Sequence, residues 1–325
     1  MAAGPVAALP AVSQLNINAS TPMGASLCPG GATFRAWAPR AHAVYLNGTF
    51  GGTARNGTDP DLLLQNSSGS WAGFLPGVTD GDTYIFLVVG DANTGTKRDP
   101  YAREMALDNP FPECSCVVRS TSAYPWHDAA FGTPDYSNMI VYQLHVGAYD
   151  PTSNNTKPST FLDVIEKIEY LAALGINVLQ PLPIHEMESG VSMGYNGADF
   201  FSPDLPYVER EAAALNAHLS TINRLLAAKS FRPLAAADIA SGPAQLKVLV
   251  DLCHLCGIAV VLDVVYNHAG GFFGDDHSIY FWDRATTVTT TRAFIALTKA
   301  GLAALPSHSG IRTCASSSSI TPVSF

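Results

Sequence analysis

The sequence predicts two folds in one chain: a small antiparallel β-sandwich, then a parallel sheet whose strands are joined by crossover helices. Three observations lead to this prediction. The 325 residues are 47% hydrophobic and only 14% charged, which is enough apolar material for a large core. Short alternating runs separated by Gly, Asn, Asp and Thr occupy the first third of the chain. Beyond Met139 the apolar residues recur at helical spacing, between runs of strand length.

The sandwich is predicted over residues 21–120. Its strands are the alternating or aromatic runs ATFRAWAP, HAVYLNGTF, WAGFLPG and TYIFLVVG, each bounded by turn-forming residues. Residues 1–20 are predicted to form a flexible leader. Because the first charged residue is Arg35, this leader lacks the basic region of a secretory signal and the arginines of a transit peptide. A cytoplasmic protein is therefore expected.

The parallel sheet is predicted over residues 138–285, after a linker at 121–137 that contains two prolines. Two passages repeat one order of elements: an apolar helical stripe, a glycine that ends it, and an apolar strand. The first stripe consists of Phe161, Leu162, Val164, Ile165, Ile168, Leu171 and Leu174. The second, within 245–256, consists of Leu246, Leu249, Val250 and Cys253.

Three strands are predicted in this part, at 139–146, 176–182 and 258–265. The third is a continuous apolar run, which is typical of a parallel strand buried on both faces. Strand, helix and strand at this spacing imply right-handed crossovers. The spacing allows either a doubly wound sheet or a barrel.

Charge and composition argue against several classes of protein. The formal net charge is −9, with 18 Lys and Arg against 27 Asp and Glu, so no nucleic-acid or anionic-membrane partner is expected. The longest apolar runs have strand length, below the roughly 20 residues of a membrane helix. The C-x-x-C pair Cys253 and Cys256 falls inside a helical stretch, so core packing is expected there rather than a metal site.

Candidate site residues follow two of the predicted strands. Asp263, Asn267 and His268 come at the end of the third strand, and Tyr195 lies in the long connection after the second. The carboxyl ends of parallel strands share one rim, where ligands bind in both topologies. Uncharged polar groups beside an exposed aromatic ring suit a sugar. The alternative, that Asp263 and His268 only satisfy loop backbone groups, stays open on composition alone.

These residues belong to motifs that resemble a known family. DVVYNH (Asp263–His268) resembles the first signature region of glycoside hydrolase family 13, the α-amylase family. YQLHVGAY and MGYNGADFFSP resemble the family's first barrel strand and the motif after its second. GATFRAWAPRAHAVYLNGTF and KRDPYARE resemble the carbohydrate-binding module family 48 sandwich that precedes the barrel in branching enzymes, isoamylases and trehalohydrolases. The resemblance implies an immunoglobulin-like sandwich followed by an incomplete (β/α)8 barrel.

The resemblance also implies roles for the site residues. Tyr195 matches the tyrosine that stacks on the sugar at the scissile bond, and His268 the histidine that binds that sugar's 6-hydroxyl. Asp263 matches an aspartate that orders the site. Asn267 corresponds to a calcium ligand in secreted amylases, but branching-type relatives usually lack the ion, so no metal and no cofactor are expected.

No catalytic residue is predicted in this chain. Retaining glycosidases need two carboxyl groups about 5 Å apart, and in the family these follow the fourth and fifth barrel strands. No Asp or Glu follows Asp283, and residues 286–325 are rich in Ser, Thr and Ala. Synonymous codons can be chosen for this tail so that their translation in a shifted frame resembles a segment of the family. A shift of the reading frame near Thr287 is therefore expected. The chain as given is predicted to be inactive.

The function predicted from the resemblance is action on α-glucan oligo- or polysaccharides, branching-enzyme-like in type. Debranching or maltooligosyl-trehalose hydrolysis is the alternative within the same family. A non-catalytic glucan-binding protein that uses Trp37 and Trp71 of the sandwich is a further alternative, although tryptophans in strand patterns are more often core residues. The sequence leaves the linkage specificity and the oligomeric state open.

Overall fold

The structure is a computed structural model, and it describes residues 10–90, 94–110, 113–121, 124–150, 157–187 and 192–266. These residues form two compact units, 10–121 and 124–266. The candidate residues Asn267 and His268 and the tail at 286–325 lie outside the described residues.

Two antiparallel sheets make up the first unit. One has the strand order β1-β2-β6-β5, and the other has the order β4-β3-β7-β8 with β9 also paired to β7. The described strands are β1 (Gly24–Cys28), β2 (Gly31–Trp37), β3 (Ala43–Phe50), β4 (Thr53–Asn56), β5 (Leu64–Gln65), β6 (Ser70–Pro76), β7 (Thr83–Val89), β8 (Thr94–Lys97) and β9 (Cys116–Val117). The predicted sandwich is confirmed.

Alternation along the strands builds the core of this unit, because successive side chains in a strand point to opposite faces. Phe34 in β2 is fully buried. Its ring meets Tyr84 edge to face at 5.3 Å between centroids, and Phe50 at 5.7 Å. Such aromatic pairs add to the free energy of burial. The core therefore joins the inner faces of both sheets.

The predicted leader is described from Pro10 onward, and there it pairs with the sandwich. The Ser13 N–H donates to the Phe74 carbonyl at 2.9 Å, and the Phe74 N–H donates back to Ser13 at 2.8 Å. The Val12 N–H donates to the Pro60 carbonyl at 2.7 Å. Residues 10–13 therefore behave as part of the sheet, while residues 1–9 lie outside the described residues.

A parallel sheet with the order β10-β11-β14 lies at the centre of the second unit. Val141 pairs with Val178, and Val178 pairs with Ala259, both in parallel register. The strands of this unit are β10 (Val141–Leu144), β11 (Val178–Pro181), β12 (His185–Met187), β13 (Gly197–Pro203) and β14 (Ala259–Val260). The helices are α1 (Val146–Tyr149), α2 (Phe161–Ile165), α3 (Ile168–Ala173), α4 (Ala212–Ala228) and α5 (Gly242–Leu255).

The helix predicted from the first apolar stripe is two short helices, α2 and α3, separated at Glu166 and Lys167. Thr160 caps α2, because its hydroxyl accepts from the Asp163 N–H at 3.3 Å while the Asp163 carboxylate accepts from the Thr160 N–H at 2.7 Å. The stripe is buried except for Leu174, which is 57% exposed because the helix has ended before it.

The third predicted strand is shorter than its apolar run. Only Ala259 and Val260 are assigned to β14, although the Val261 N–H still donates to the Leu179 carbonyl at 2.9 Å. Within the described residues β14 pairs only with β11, so the end of the run has no second neighbour to hold it. Val264 is accordingly 50% exposed, where the sequence predicts burial on both faces.

The predicted linker is bound through residues 124–128 to the second half of helix α5. The buried carboxylate of Asp251 accepts from the Tyr124 hydroxyl at 3.0 Å and from the His127 N–H at 2.9 Å, and lies 2.7 Å from His127 Nδ1. One turn further along α5, His254 Nδ1 lies 2.7 Å from Asp128. The connection is therefore part of the second unit from residue 124 onward.

No helix within the described ranges is long and apolar enough to cross a membrane.

Candidate functional site

The carboxyl ends of the parallel strands form one rim, as parallel pairing requires. β10 is followed there by His145, β11 by the β12–β13 hairpin, and β14 by Asp263. Every candidate residue that the structure describes follows one of these strand ends.

Tyr195 and Asp263 meet at this rim. The Tyr195 hydroxyl donates to Asp263 Oδ2 at 3.1 Å across 68 positions of sequence. The loss of some hydration and this hydrogen bond raise the pKa of Tyr195 above its ordinary value. The tyrosine remains 38% exposed, so its ring is open to a ligand while its hydroxyl is held.

Two glycines shape the loop that carries Tyr195. Gly194 has φ +90°, and a Cβ there would lie 2.1 Å from the Pro183 carbonyl oxygen. A Cβ on Gly197 would lie 2.1 Å from His185 Nε2. Only glycine fits such close approaches of backbone to neighbouring atoms, which explains the glycines on either side of Tyr195 and Asn196 in the MGYNG motif.

His185, a residue that sequence analysis missed, lies behind this loop in β12. Its side chain is buried, and its ring packs 5.2 Å from the Phe200 ring between centroids. Burial lowers the pKa of His185 to about 4, against the smaller opposing effects of the Gly194 backbone and the Asp263 charge. The ring is therefore neutral near pH 7.

Next to it, the buried carboxyl groups of Glu186 and Asp204 interact with each other. Burial is the first cause that raises both pKa values, and the charges of Asp204 and Asp199 raise the pKa of Glu186 further. Glu186 also accepts from the Leu205 N–H at 3.0 Å, and the Asp204 N–H donates to the Ile184 carbonyl at 2.9 Å. Two such groups do not both ionise readily, so their raised pKa values favour a protonated pair at the base of the hairpin.

His145 and Tyr207 form a third polar contact at the rim. His145 Nε2 lies 3.1 Å from the Tyr207 hydroxyl, and burial lowers the pKa of His145. The lowered pKa favours a neutral ring, and the tautomer of that ring sets whether the hydroxyl or Nε2 donates. A Cβ on Gly147 would lie 2.8 Å from Tyr207 Cε1, so the short helix after β10 needs glycine at this contact.

A signal in the sequence points to the residues that were missed. His185 and Glu186 are consecutive ionisable residues inside the apolar passage Leu182–Met187. Ionisable groups in a buried passage are expected to have a structural or functional reason. The passage lies directly after a parallel strand, at the end where sites occur.

The tryptophans of the sandwich differ in exposure. Trp71 is buried, and its indole N–H donates to the Ala38 carbonyl at 2.8 Å, so it is a core residue. Trp37 is partly exposed, and its indole N–H donates to the Ser68 carbonyl at 3.2 Å. Only Trp37 thus leaves part of its ring open to a ligand.

The described residues hold no group of three or more His, Cys, Asp or Glu side chains arranged for a metal ion. Cys253 is buried in α5, and burial raises the pKa of its thiol. The aromatic ring and the polar oxygens at the rim are instead suited to a ligand with an apolar face and hydroxyl groups.

Comparison with known proteins supports the resemblance inferred from the motifs. Residues 22–102 match the family model of carbohydrate-binding module 48, described as the isoamylase N-terminal domain. This match covers the sandwich, and the predicted module is confirmed.

Sequence relatives extend the similarity beyond the module. The chain is 29% identical over 280 residues to malto-oligosyltrehalose trehalohydrolase of Deinococcus radiodurans, which covers 85% of this chain and 38% of the relative. It is 28% identical to the 1,4-alpha-glucan branching enzyme GlgB of Corynebacterium jeikeium, covering 76% of this chain and 29% of that enzyme. The GlgB of Geobacillus stearothermophilus is 27% identical, with 78% and 35% covered. The chain spans about a third of the length of these relatives.

Solved structures agree on the fold. A putative alpha amylase from Salmonella typhimurium aligns over 77% of this chain and 34% of its own, with a TM-score of 0.56 and 23% identity. The GBS pullulanase SAP, solved in complex with maltotetraose, aligns over 79% of this chain and 34% of its own, with a TM-score of 0.57 and 20% identity. The predicted fold class, a sandwich followed by part of a (β/α)8 barrel, is confirmed.

Proposed function

We propose that this chain, a relative of α-amylase-family enzymes with an N-terminal carbohydrate-binding module 48, is the amino-terminal part of an α-glucan-active enzyme of the branching type. The branching type is proposed because several relatives of this chain are 1,4-alpha-glucan branching enzymes. Because the chain spans about a third of their length, the reaction belongs to the whole protein.

One observation carries the proposal for this chain itself. The hydrogen bond of 3.1 Å between Tyr195 and Asp263 joins two sequence motifs, MGYNG and DVVYNH, at the rim where a barrel binds its substrate. The bond holds the hydroxyl of a tyrosine whose ring stays open to a ligand. A pyranose ring stacks on such a face, and its hydroxyl groups need oxygen partners nearby.

In this proposal Tyr195 stacks on a glucose unit and Asp263 orders the tyrosine and the adjacent hydroxyls. His268 forms a hydrogen bond with the 6-hydroxyl of the same unit, and Asn267 belongs to the same substrate-binding set. These four residues bind and orient the substrate. The proposal assigns none of them to nucleophilic attack or to proton transfer, and it needs no metal or cofactor.

Hydrolysis by a debranching enzyme or a trehalohydrolase is the second candidate, and the trehalohydrolase of Deinococcus radiodurans favours it. These activities share a covalent intermediate with branching and differ in the acceptor that resolves it. Non-catalytic glucan binding through the partly exposed Trp37 is the third candidate. A cytoplasmic protein without a nucleic-acid partner is part of each version.

Isothermal titration of the purified chain with maltohexaose tests the binding proposal. Tyr195→Ala is expected to weaken binding by about tenfold, because a lost aromatic stack is worth up to roughly 1.4 kcal/mol. Tyr170→Ala removes a tyrosine that is 61% exposed on α3, and it serves as the matched control. Equal affinity of the Tyr195 and Tyr170 variants would contradict the proposal, as would equal binding of β-linked cellohexaose.

The nucleotide sequence of the gene tests the predicted shift of the reading frame. Resequencing the nucleotides around codons 285–288 is expected to find an inserted or lost base, whereas an intact frame through the tail would refute this part of the proposal. The product of the restored frame then separates the activities on amylose. Transfer lowers the iodine absorbance without new reducing ends, and hydrolysis produces reducing ends.

A further inference from the structure

The His185 ring is buried in a way that core packing does not explain. Its side chain is 6% exposed, and Nε2 has no hydrogen-bond partner among the residues that the structure describes. An aliphatic side chain would fill the same space without leaving a polar atom unpaired. Buried polar groups without a partner are uncommon, and each one calls for an explanation.

Contacts of this ring reach both ends of the Tyr195 loop, defined here as residues 192–197. The Gly194 backbone lies near the ring, and it opposes the lowering of the His185 pKa by burial. Because Nε2 has no partner, Nδ1 is the ring nitrogen that can donate to this backbone. At the other end, the ring lies so close to Gly197 that a Cβ there would be 2.1 Å from Nε2.

The ring also connects the loop to the rest of the rim. Phe200 packs against it from β13 at 5.2 Å between centroids. Asp263, which accepts the hydrogen bond from Tyr195, is near enough for its charge to act on the ring. The neutral ring thus lies near both glycines of the loop and near the carboxylate that accepts from Tyr195.

We propose that His185 is a positioning residue for Tyr195: its buried ring sets the conformation of the Tyr195 loop and thereby brings the tyrosine hydroxyl to Asp263. In this proposal Nδ1 donates to the Gly194 end of the loop, and the ring atoms Nε2 and Cδ2 pack against the Gly197 end. His185 does not touch the sugar. Its effect on glucan binding rests on the proposed function, but its effect on Tyr195 does not.

The test observes Tyr195 directly by NMR of the full chain labelled with 13Cζ-tyrosine at about pH 7. Tyr195→Phe assigns the resonance, and Asp263→Asn defines its position when the carboxylate bond is lost. His185→Ala is expected to move the Tyr195 resonance to the Asp263→Asn position. His185→Asn is expected to keep the wild-type position, because its amide can donate from the place of Nδ1. His218→Ala, on α4, is the control that leaves the resonance unchanged.

A Tyr195 resonance that stays at the wild-type position in His185→Ala would overturn the proposal. If that variant does not fold, His185→Asn and His185→Gln decide, since glutamine places its amide near Nε2 and is expected to lose the wild-type position. Equal positions in these two variants would also overturn it.

Maltohexaose titrations of the same variants separate this inference from the proposed function. Affinity is expected to fall about tenfold in His185→Ala and to be restored in His185→Asn, in parallel with the resonance. A wild-type chain that binds no maltohexaose refutes the proposed function, while the Tyr195 resonance still decides the role of His185.

Discussion

The two units bury their apolar strands in different ways. In the sandwich, β7 pairs with β3 along seven residues on one side and with β8 and β9 on the other. In the parallel unit, β14 also lies in an apolar run, at 258–262, yet among the described residues it pairs with β11 alone and is assigned over two residues. A strand is thus stabilised by its neighbours more than by its composition.

The largest expected effect comes from expressing the units separately. Residues 10–121 are expected to unfold in one cooperative thermal transition, because their sheets pair internally. The segment starts at residue 10 because Ser13 pairs with Phe74. Residues 124–266 alone are expected to aggregate through unpaired strand edges. Calorimetry and size-exclusion chromatography measure both, and a monomeric, protease-resistant 124–266 would contradict the comparison.

A core substitution sharpens the difference between the units. Phe34→Ala removes a fully buried ring with two aromatic contacts and is expected to cost the sandwich about 3–5 kcal/mol. The full chain is unfolded in denaturant, and amide hydrogen exchange monitors each unit. Only the transition of the sandwich is expected to shift. Leu179→Ala, at an equally buried position of β11, is the matched change in the other unit. A common shift of both transitions in either variant would mean that the units unfold together.

The attachment of residues 124–128 to α5 gives an intermediate effect. Asp251→Asn is expected to cost about 1.5–3 kcal/mol, because a buried carboxylate loses charge-assisted hydrogen bonds to Tyr124 and His127. Asp128→Asn removes a partly exposed partner of His254 and is expected to cost at most about 1 kcal/mol. Urea unfolding measures both, and equal costs would mean that burial does not distinguish the two pairs.

The smallest effect is a pH dependence of the parallel unit. The pKa values of Glu186 and Asp204 are raised in the folded chain, so the folded state holds protons that the unfolded state releases. The pair therefore makes its full contribution to the free energy of unfolding at acidic pH. This contribution is lost as the pH rises above the ordinary carboxyl range. Glu186→Gln is expected to gain about 1 kcal/mol relative to wild type between about pH 5 and about pH 8.

Urea midpoints at the two pH values measure that gain. Glu113→Gln changes a glutamate of the other unit and is the control, for which no such gain is expected. A Glu186→Gln variant with the same pH dependence as wild type would show that the buried pair shares no proton.

Local pattern was sufficient for much of the fold. Alternation predicts the strand that contains Phe34, and the glycines at 175 and 257 mark the ends of the helical passages, both with positive φ. The split between α2 and α3 escapes the pattern, because the apolar stripe continues through Glu166 and Lys167. The long helix α4 was missed, although its 17 residues form the longest helix described.

The candidate site divides in the same way. Motif and rim position predict that Tyr195 and Asp263 approach each other, and the hydrogen bond joins them. Their roles toward a sugar, with those of Asn267 and His268, stay predictions. The β12–β13 hairpin was not predicted, since its pairing is irregular and opposes Glu186 to Asp199. Irregular pairing leaves no clean period in the sequence.

The sequence by itself determined the order of the two folds, the parallel direction of the second sheet, and the rim on which the candidate residues lie. These follow from periodicity and strand direction, which are local properties of the chain. Tertiary structure decided that burial lowers the pKa of His185 and raises the pKa values of Glu186 and Asp204. The charge of a buried group depends on the water it loses and on the neighbours it gains, and folding brings those neighbours from distant parts of the chain.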